Sequence, residues 1–333
     1  MAGLESEISR LSNKDIRVRR RAIRKLFDDD NHLALKGFVP MLRDNDPWFR
    51  SKSLDAHRKW VKNADDLIPL LDNHKRVAAE LLENVEAPEI ARILLLEDDS
   101  VTRSFAAKNL ANETHLHEDF SKDEHHSIRI VAAENSKDSA LISSLIGDSH
   151  SSVRRSAIAT ASREGLKLDQ ETLEMGLSSS DPALRALVAS LTVKTGGEML
   201  VMACKDSNPK VRKSIAESLK KEVMEVDDRI KSIVEVCPDI IVRWLRSRHD
   251  PKASQLRWSM IENTKLNSRA RSKLLEQMEG KREIDTQRLA IITEDDSALV
   301  RIAAMNLSAA FAELSVRTHE IGHLFPRRRD PRR

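Results

Sequence analysis

Residues 206–216 read DSNPKVRKSIA, and three other segments follow the same pattern: DSHSSVRRSAI (148–158), EDDSVTRSFAA (97–107) and EDDSALVRIAA (294–304). Each copy carries an arginine shortly after a cluster of acidic or small polar residues. Such an arginine recurs along the whole chain at intervals of 25 to 31 residues, as Arg19, Arg50, Arg76, Arg103, Arg129, Arg154, Arg185, Arg212, Arg243, Arg271 and Arg301. We call these the anchor arginines. A regular period of this length is typical of repeat proteins.

Helix start signals accompany the anchor arginines in a single register. Four positions before them stand Asp15, Asp46, Asp72, Asp99, His125, His150, Asp181, Asn208, Asp239, Asn267 and Ser297. Nine of these eleven are Asp, Asn or Ser, whose side chains accept hydrogen bonds from the free N–H groups of a first helical turn. The residue directly before the arginine is apolar in most copies. Each repeat is therefore predicted to begin with a capped helix and to continue into a second apolar helix, as at 90–96, 140–146 and 199–204.

The composition favours an all-helical chain. Aromatic residues make up only 3%, Tyr is absent and there are only 9 Gly, so the chain is poor in the residues of sheets and tight hairpins. Hydrophobic residues reach 40%, which is enough for a continuous core. A two-helix hairpin buries its apolar face only by stacking on its neighbours. The prediction is all-α: an α-solenoid, a superhelical stack of about eleven two-helix repeats over residues 1–316, with a terminal helix remnant and an Arg/Pro-rich tail at 317–333.

The repeat resembles a known family. The segment Asn208-Pro-Lys-Val-Arg-Lys-Ser-Ile-Ala-Glu-Ser-Leu219 is similar to the short HEAT-like repeat of the phycobilisome-lyase type. The resemblance covers nearly the whole chain and implies the fold. It implies little about function, because these repeats serve lyases, hydroxylases, DNA glycosylase relatives and passive scaffolds.

The resemblance also implies a structural role for the anchor arginines. An acidic residue lies six positions before the arginine in six copies: Asp44, Glu97, Asp123, Asp148, Asp206 and Asp295. In the family, such Asp and Arg side chains pair across neighbouring repeats. We therefore expect a structural ladder that includes Arg50, Arg103, Arg154, Arg212, Arg301, Asp148, Asp206 and Asp295, in preference to a row of phosphate-binding arginines.

Two basic regions are candidates for nucleic-acid binding. Residues 243–273 combine cations with two tryptophans, and their candidate contacts are Arg243, Trp244, Arg246, Arg248, Arg257, Trp258 and Arg269. The tail adds Arg327, Arg328 and Arg329. Cations that neutralise phosphates and aromatic planes that stack on bases are the ordinary means of holding a single strand. Arg-rich helical faces are also ordinary solvated surface, and Trp residues also fill gaps between repeats.

One segment matches an enzyme motif literally. His319-Glu320-Ile321-Gly322-His323 is the HExxH pattern of zinc peptidases, in which two His and a Glu share one helix face. Few residues follow His323, no third ligand is evident and Pro326 lies nearby, so a terminal helix is the preferred interpretation. His115, His117, His125 and His126 form a second group of metal candidates, for which a solvated face is preferred. The paired His-Glu motifs of deoxyhypusine hydroxylases are not reproduced at equivalent positions.

The functional prediction is a non-enzymatic interaction scaffold that binds a protein partner on its concave helix row and needs no cofactor. Nucleic-acid binding through the basic segments is the alternative, and a metal-dependent enzyme at His319 and His323 is the remote one. The net charge of +3 is too small to demand a nucleic acid or a membrane surface. Two isolated Cys and the absence of a long apolar run predict a cytoplasmic protein without a membrane span. Oligomeric state is left open.

Overall fold

The computed structural model describes residues 2–280 and 284–324, and it describes side chains for residues 3–280 and 284–313. Every regular element in these ranges is a helix, and none is a strand. The chain divides into two compact units, Met1–Lys167 and Leu168–Arg333. The all-α prediction is confirmed. The single repeat domain over residues 1–316 stays a prediction.

Among its described residues, the first unit contains eleven α-helices and four short 3-10 segments. The α-helices are α1 (Ala2–Arg10), α2 (Ile16–Asp29), α3 (Leu35–Phe38), α4 (Pro47–Trp60), α5 (Lys75–Leu81), α6 (Pro88–Leu94), α7 (Ser100–Asn109), α8 (His117–Lys122), α9 (His126–Asn135), α10 (Ser139–Ile146) and α11 (Ser151–Arg163). The 3-10 segments are His32–Ala34, Val39–Arg43, Ala64–Leu70 and Thr114–Leu116.

The second unit has ten α-helices among its described residues. They are α12 (Gln170–Leu177), α13 (Pro182–Thr195), α14 (Gly197–Cys204), α15 (Pro209–Glu222), α16 (Asp228–Val234), α17 (Pro238–Leu245), α18 (Pro251–Glu262), α19 (Ser268–Glu276), α20 (Thr286–Ile292) and α21 (Ala298–Leu324).

Helices that carry an anchor arginine pack on one another in chain order. We call them the anchor helices, and they are α2, α4, α5, α7, α9 and α11 in the first unit and α13, α15, α17, α19 and α21 in the second. In the first unit α5, α7, α9 and α11 contact successively, and in the second unit α13, α15, α17, α19 and α21 do so. The helices between the anchor helices form the second row of each stack. In the second unit, for example, α12 contacts α14 and α14 contacts α16. Each unit is thus an α-solenoid of stacked helix pairs, as predicted.

Most helix starts lie where the sequence pattern places them. Nine of the eleven predicted cap residues directly precede an anchor helix: Asp15, Asp46, Asp99, His125, His150, Asp181, Asn208, Asn267 and Ser297. Two predictions were wrong. Helix α5 begins after His74 and not after Asp72, and helix α17 begins after Cys237, which places Asp239 inside its first turn.

The core consists of small and branched apolar residues on one face of each anchor helix. In α15 the buried positions are Val211, Ile215, Ala216 and Leu219. Their spacing of three and four residues places them on one side of the helix. Burial of each large side chain stabilises the fold by roughly 1.5–3 kcal/mol. Because a short hairpin has few such residues, its stability depends on the neighbouring hairpin.

The last described helix extends beyond the predicted end of the repeats. Helix α21 runs from Ala298 to Leu324, so no helix break marks position 317. His319, Glu320 and His323 lie on its backbone, but their side chains are outside the described residues, as are Arg327, Arg328 and Arg329 entirely. Within the described ranges, no helix combines the length and apolar character needed to cross a bilayer.

A cationic groove as the candidate functional site

An anchor arginine makes two kinds of contact, and Arg129 shows both. Its Nη1 donates to the backbone carbonyl oxygens of Asp123 and Glu124, each at 2.9 Å, in the loop before its own helix. Its Nε and Nη2 donate to the carboxylate of Asp148 at 2.7 and 3.0 Å, in the loop before the next anchor helix. The guanidinium therefore links two successive loops.

The same arrangement recurs in both units. Cross-repeat pairs of this kind are Arg19–Asp44, Arg103–Asp123, Arg129–Asp148, Arg185–Asp206 and Arg271–Asp295. In each case the backbone carbonyl of the same aspartate accepts a hydrogen bond from its own repeat's arginine, which is Arg50, Arg129, Arg154, Arg212 or Arg301. Each aspartate thus lies between two anchor arginines.

Three aspartates of this ladder, Asp148, Asp206 and Asp295, have a pKa below the usual value. Burial alone would raise the pKa of Asp148, but hydrogen bonds from Arg129 and from the backbone N–H of His150 outweigh it, so that its pKa lies below the usual value. Asp206 shows the same balance, with Arg185 as the donor that lowers its pKa. In Asp295 the hydrogen bond from Arg271 is the largest influence, and it also lowers the pKa.

Two anchor arginines, Arg76 and Arg243, make no ladder contact, because α5 and α17 begin at other positions than the sequence pattern predicts. A ladder arginine lies four residues after its cap. The corresponding residues are Ala78 in α5 and Ile241 in α17, and both are fully buried. Arg243 is therefore exposed on α17 and is free of the contacts that Arg129 makes.

The structure separates the predicted basic segment into a buried set and an exposed set. Trp244 and Arg257 are 0% and 1% exposed, and Trp258 is also buried. The indole N–H of Trp244 donates to the Val223 carbonyl at 3.0 Å, and Arg257 donates to the Leu245 and Arg248 carbonyls. These three side chains belong to the core, which corrects the expectation that they face a nucleic acid.

Arg248 also belongs to the packing between repeats. Its Nη2 donates to the carbonyls of Lys220 and Val223 at 2.7 and 2.9 Å, and its guanidinium lies over the Trp244 ring, 5.3 Å from the centroid. The half-buried side chain connects the end of α15 to α17. It is therefore not available as a surface cation.

The remaining named candidates, Arg243, Arg246 and Arg269, line one groove together with Lys273. Arg243 on α17, Arg246 directly after it, and Arg269 and Lys273 on α19 surround a cavity of about 600 Å³, together with Asp239, Val242, Glu276 and Gln277. All four cationic side chains are exposed. The sequence identified three of them as candidates by name, and the structure brings them together. We call this cavity the α17–α19 groove.

The four cations of the groove have no ionic partners within the described part of the chain. None of them makes an ion pair or a side-chain hydrogen bond there, in contrast to the ladder arginines. Asp239 and Glu276 also line the groove and reduce its positive charge, and neither pairs with a cation of the described residues. The groove therefore carries more positive than negative side chains, which favours an anionic ligand.

Gln277 lines the groove and joins its two helices. Its Nε2 donates to the Val242 carbonyl at 3.0 Å and so connects the end of α19 to α17. Its Oε1 is buried and forms no hydrogen bond with the described residues. Because this oxygen is buried, a ligand in the groove does not reach it in the described conformation. Sequence reasoning missed Gln277 because its position depends on the helix register.

The histidine candidates do not form a metal site among the residues with described side chains. His117 is buried and its Nε2 lies 2.7 Å from the Ala111 carbonyl, whereas His115 is exposed. His126 stacks on His150 with ring centroids 3.9 Å apart and lies beside His125. No group of three or more His, Cys, Asp or Glu with metal-binding geometry occurs in that part of the chain.

Comparison with known proteins identifies no family. No protein-family model matches the chain, and no curated protein matches it either. Solved structures align over most of its length at low similarity. An engineered protein is 16% identical, with 94% of this chain and 100% of that chain covered and a TM-score of 0.19.

Two further structures align in the same way. A structure on tubulin recruitment and assembly by microtubule polymerases with tumor overexpressed gene (TOG) domain arrays is 10% identical, covers 92% of this chain and 94% of that one, and has a TM-score of 0.21. A second engineered protein is 17% identical, covers 94% and 98%, and has a TM-score of 0.14. Because these TM-scores are so low, the alignments carry no argument about function.

Proposed function

We propose that this chain is a non-enzymatic interaction scaffold and that its α17–α19 groove binds an acidic segment of a protein partner. One observation carries the proposal: Arg243, Arg246, Arg269 and Lys273 line one cavity between α17, the residue after it and α19, and they have no ionic partner among the described residues. An acidic segment supplies the carboxylates that these cations lack. We also propose that the repeats are of the phycobilisome-lyase type and that the protein is cytoplasmic.

Two features favour a peptide over a nucleic acid. Trp244 and Trp258, the aromatic residues that could stack on bases, are buried. Asp239 and Glu276 also line the groove, and they suit a ligand whose negative charges alternate with uncharged residues better than a phosphate backbone that is charged at every nucleotide.

Nucleic acid stays the second candidate because the same four cations could neutralise phosphates. It makes a distinct prediction, namely affinity for duplex DNA or single-stranded RNA that falls steeply with salt. The remote metalloenzyme alternative rests on side chains outside the described residues and gains no support from the groove.

The test compares one probe across matched variants. Binding of a fluorescent glutamate-rich peptide is measured by anisotropy for the wild type, for the double variant Arg243→Glu/Lys273→Glu, and for Lys213→Glu/Lys231→Glu. The last pair changes the net charge equally but lies on exposed cations outside the groove. We expect the groove variant to lose roughly tenfold or more in affinity and the control to lose little.

Two outcomes would contradict the proposal. Equal losses in both double variants would indicate general charge attraction and not a groove. Failure of the wild type to bind the peptide, together with binding of DNA or RNA that the groove variant loses, would support the nucleic-acid alternative.

A further inference from the structure

Helix α21 exposes a position that the other anchor helices cover. Eight residues after the cap stand Ile23, Leu82, Ala107, Ala133, Ile158, Ala189, Ala216, Leu245 and Leu275, all of which are buried, and Leu54, which is half-buried. The equivalent residue in α21 is Met305, and it is 53% exposed. Among the described residues, therefore, no neighbouring helix covers this position of α21.

The exposed methionine is part of a stripe. Leu299, Ile302 and Met305 are spaced three residues apart, so they lie along one side of α21, and they are 48%, 56% and 53% exposed. Single exposed apolar residues are ordinary on protein surfaces, but a contiguous row of three large ones marks an interaction surface. We call this the α21 stripe.

The equivalent face of α13 shows which contact an anchor helix normally makes at the position of the α21 stripe. In α13 the residues equivalent to Ile302 and Asn306 are Ala186 and Ser190. Their carbonyl oxygens accept hydrogen bonds from Ser214 and Ser218 of the next anchor helix, α15, at 2.9 and 3.0 Å. This face of an anchor helix is therefore the one against which the next anchor helix packs. In α21 the same face carries the stripe, and no described helix follows α21.

Residues 302–312 of α21 carry no charged side chain. From Ile302 to Ala312 the sequence has eleven residues without a charged side chain, in a chain of which 33% of residues are charged. An uncharged face offers no electrostatic complement to an acidic or basic partner. It can meet an identical face without repulsion, and Ser308, Ala309 and Ala312 are small enough to allow close approach of two helices.

We propose that a second copy of this chain covers the α21 stripe, with the two α21 helices packed against each other about a two-fold axis. Leu299, Ile302 and Met305 of each copy bury one another, in place of the neighbouring helix that the other repeats have. Two-fold contacts between identical surfaces are the commonest mode of self-association. One helix pair buries less than the roughly 1,600 Å² of a standard interface, so we expect a dissociation constant on the order of micromolar.

The test is the oligomeric state of the full chain, measured by analytical ultracentrifugation over a wide range of concentrations. We expect the wild type to shift from monomer to dimer as concentration rises. Ile302→Glu and Met305→Glu should each weaken the dimer by roughly tenfold or more, since each would bury a charge at the contact. Because both side chains are exposed in the monomer, these variants should keep the helical circular dichroism signal of the wild type.

Leu96→Glu is the matched control, because Leu96 is 85% exposed and lies in the first unit. It should dimerise like the wild type. A wild type that stays monomeric at all concentrations would overturn the proposal and leave the stripe to a different partner. Growth beyond the dimer would also overturn it, because it would mean that α21 stacks on another surface of the next copy. Equal weakening by Leu96→Glu would place the contact elsewhere.

Discussion

The guanidinium of Arg129 and the carboxylate of Asp148 form a two-bond ion pair that connects successive repeats, with Nε–Oδ2 and Nη2–Oδ1 distances of 2.7 and 3.0 Å. The backbone carbonyl of the same Asp148 accepts from Nη1 of Arg154 at 2.6 Å. One aspartate thus receives an arginine from each side, by its carboxylate and by its carbonyl. Since neither Arg129 nor Asp148 has much solvent access, the pair should matter more than a surface ion pair.

Replacement of Arg129 by alanine should destabilise the fold. It removes both Arg129 hydrogen bonds to the Asp148 carboxylate and leaves the carbonyls of Asp123 and Glu124 without their donor, so we expect a loss of about 2–4 kcal/mol in the free energy of unfolding. Arg58→Ala is the control, because Arg58 forms only an exposed pair with Glu80 at 3.7 Å and should cost less than about 1 kcal/mol. Urea denaturation measures both. Similar losses in the two variants would contradict a special role of the ladder.

The low pKa of Asp148 predicts how stability depends on pH. Its folded pKa lies below that of an unfolded aspartate, near 3.9, so its ionised form contributes stability above about pH 4. This contribution is lost as the pH falls towards the folded pKa. The difference in unfolding free energy between the wild type and Asp148→Asn should therefore be largest at neutral pH and shrink in acid. Asp228→Asn changes a fully exposed carboxylate and should give a small difference at all pH values. If the difference in unfolding free energy between the wild type and Asp148→Asn were the same at all pH values, the charge of Asp148 would not contribute to stability.

Trp244 tests the reassignment of the basic segment from surface to core. Trp244→Phe removes the hydrogen bond to Val223 and part of a fully buried ring, so we expect a loss of about 1–3 kcal/mol in unfolding free energy. Affinity for the glutamate-rich peptide should not change. A stable variant with impaired binding of any anionic ligand would mean that the indole faces the ligand after all.

Much of the fold could be predicted because its signals are local. Asp15, Asp46 and Asn208 cap their helices through side-chain hydrogen bonds to backbone N–H groups two residues later, and such residues stand out in a sequence. The starts of α5 and α17 were misplaced because His74 and Cys237 precede these helices, and neither makes a side-chain cap. In α17 the sequence pattern predicted that Arg243 is the ladder residue, but the position four residues after the Cys237 cap is Ile241.

The candidate site was only partly predictable because it depends on which way each helix faces. The segment 243–273 is rich in cations, but the sequence does not show that Arg257 turns inward to two carbonyls while Arg243, Arg246 and Arg269 face one cavity. A shift of a few residues in the start of α17 exchanges its buried and exposed faces. Gln277 was missed for the same reason, since its contact with Val242 joins residues that are far apart in sequence.

Hydrogen–deuterium exchange of the full chain, with and without the glutamate-rich peptide, tests most directly whether the α17–α19 groove is the binding site. The account predicts slower exchange on peptide addition in Pro238–Leu245 and Ser268–Glu276, little change in Pro209–Glu222, and loss of the effect in Arg243→Glu/Lys273→Glu. Protection confined to helices outside α17 and α19, or no protection at peptide concentrations that saturate binding, would contradict it.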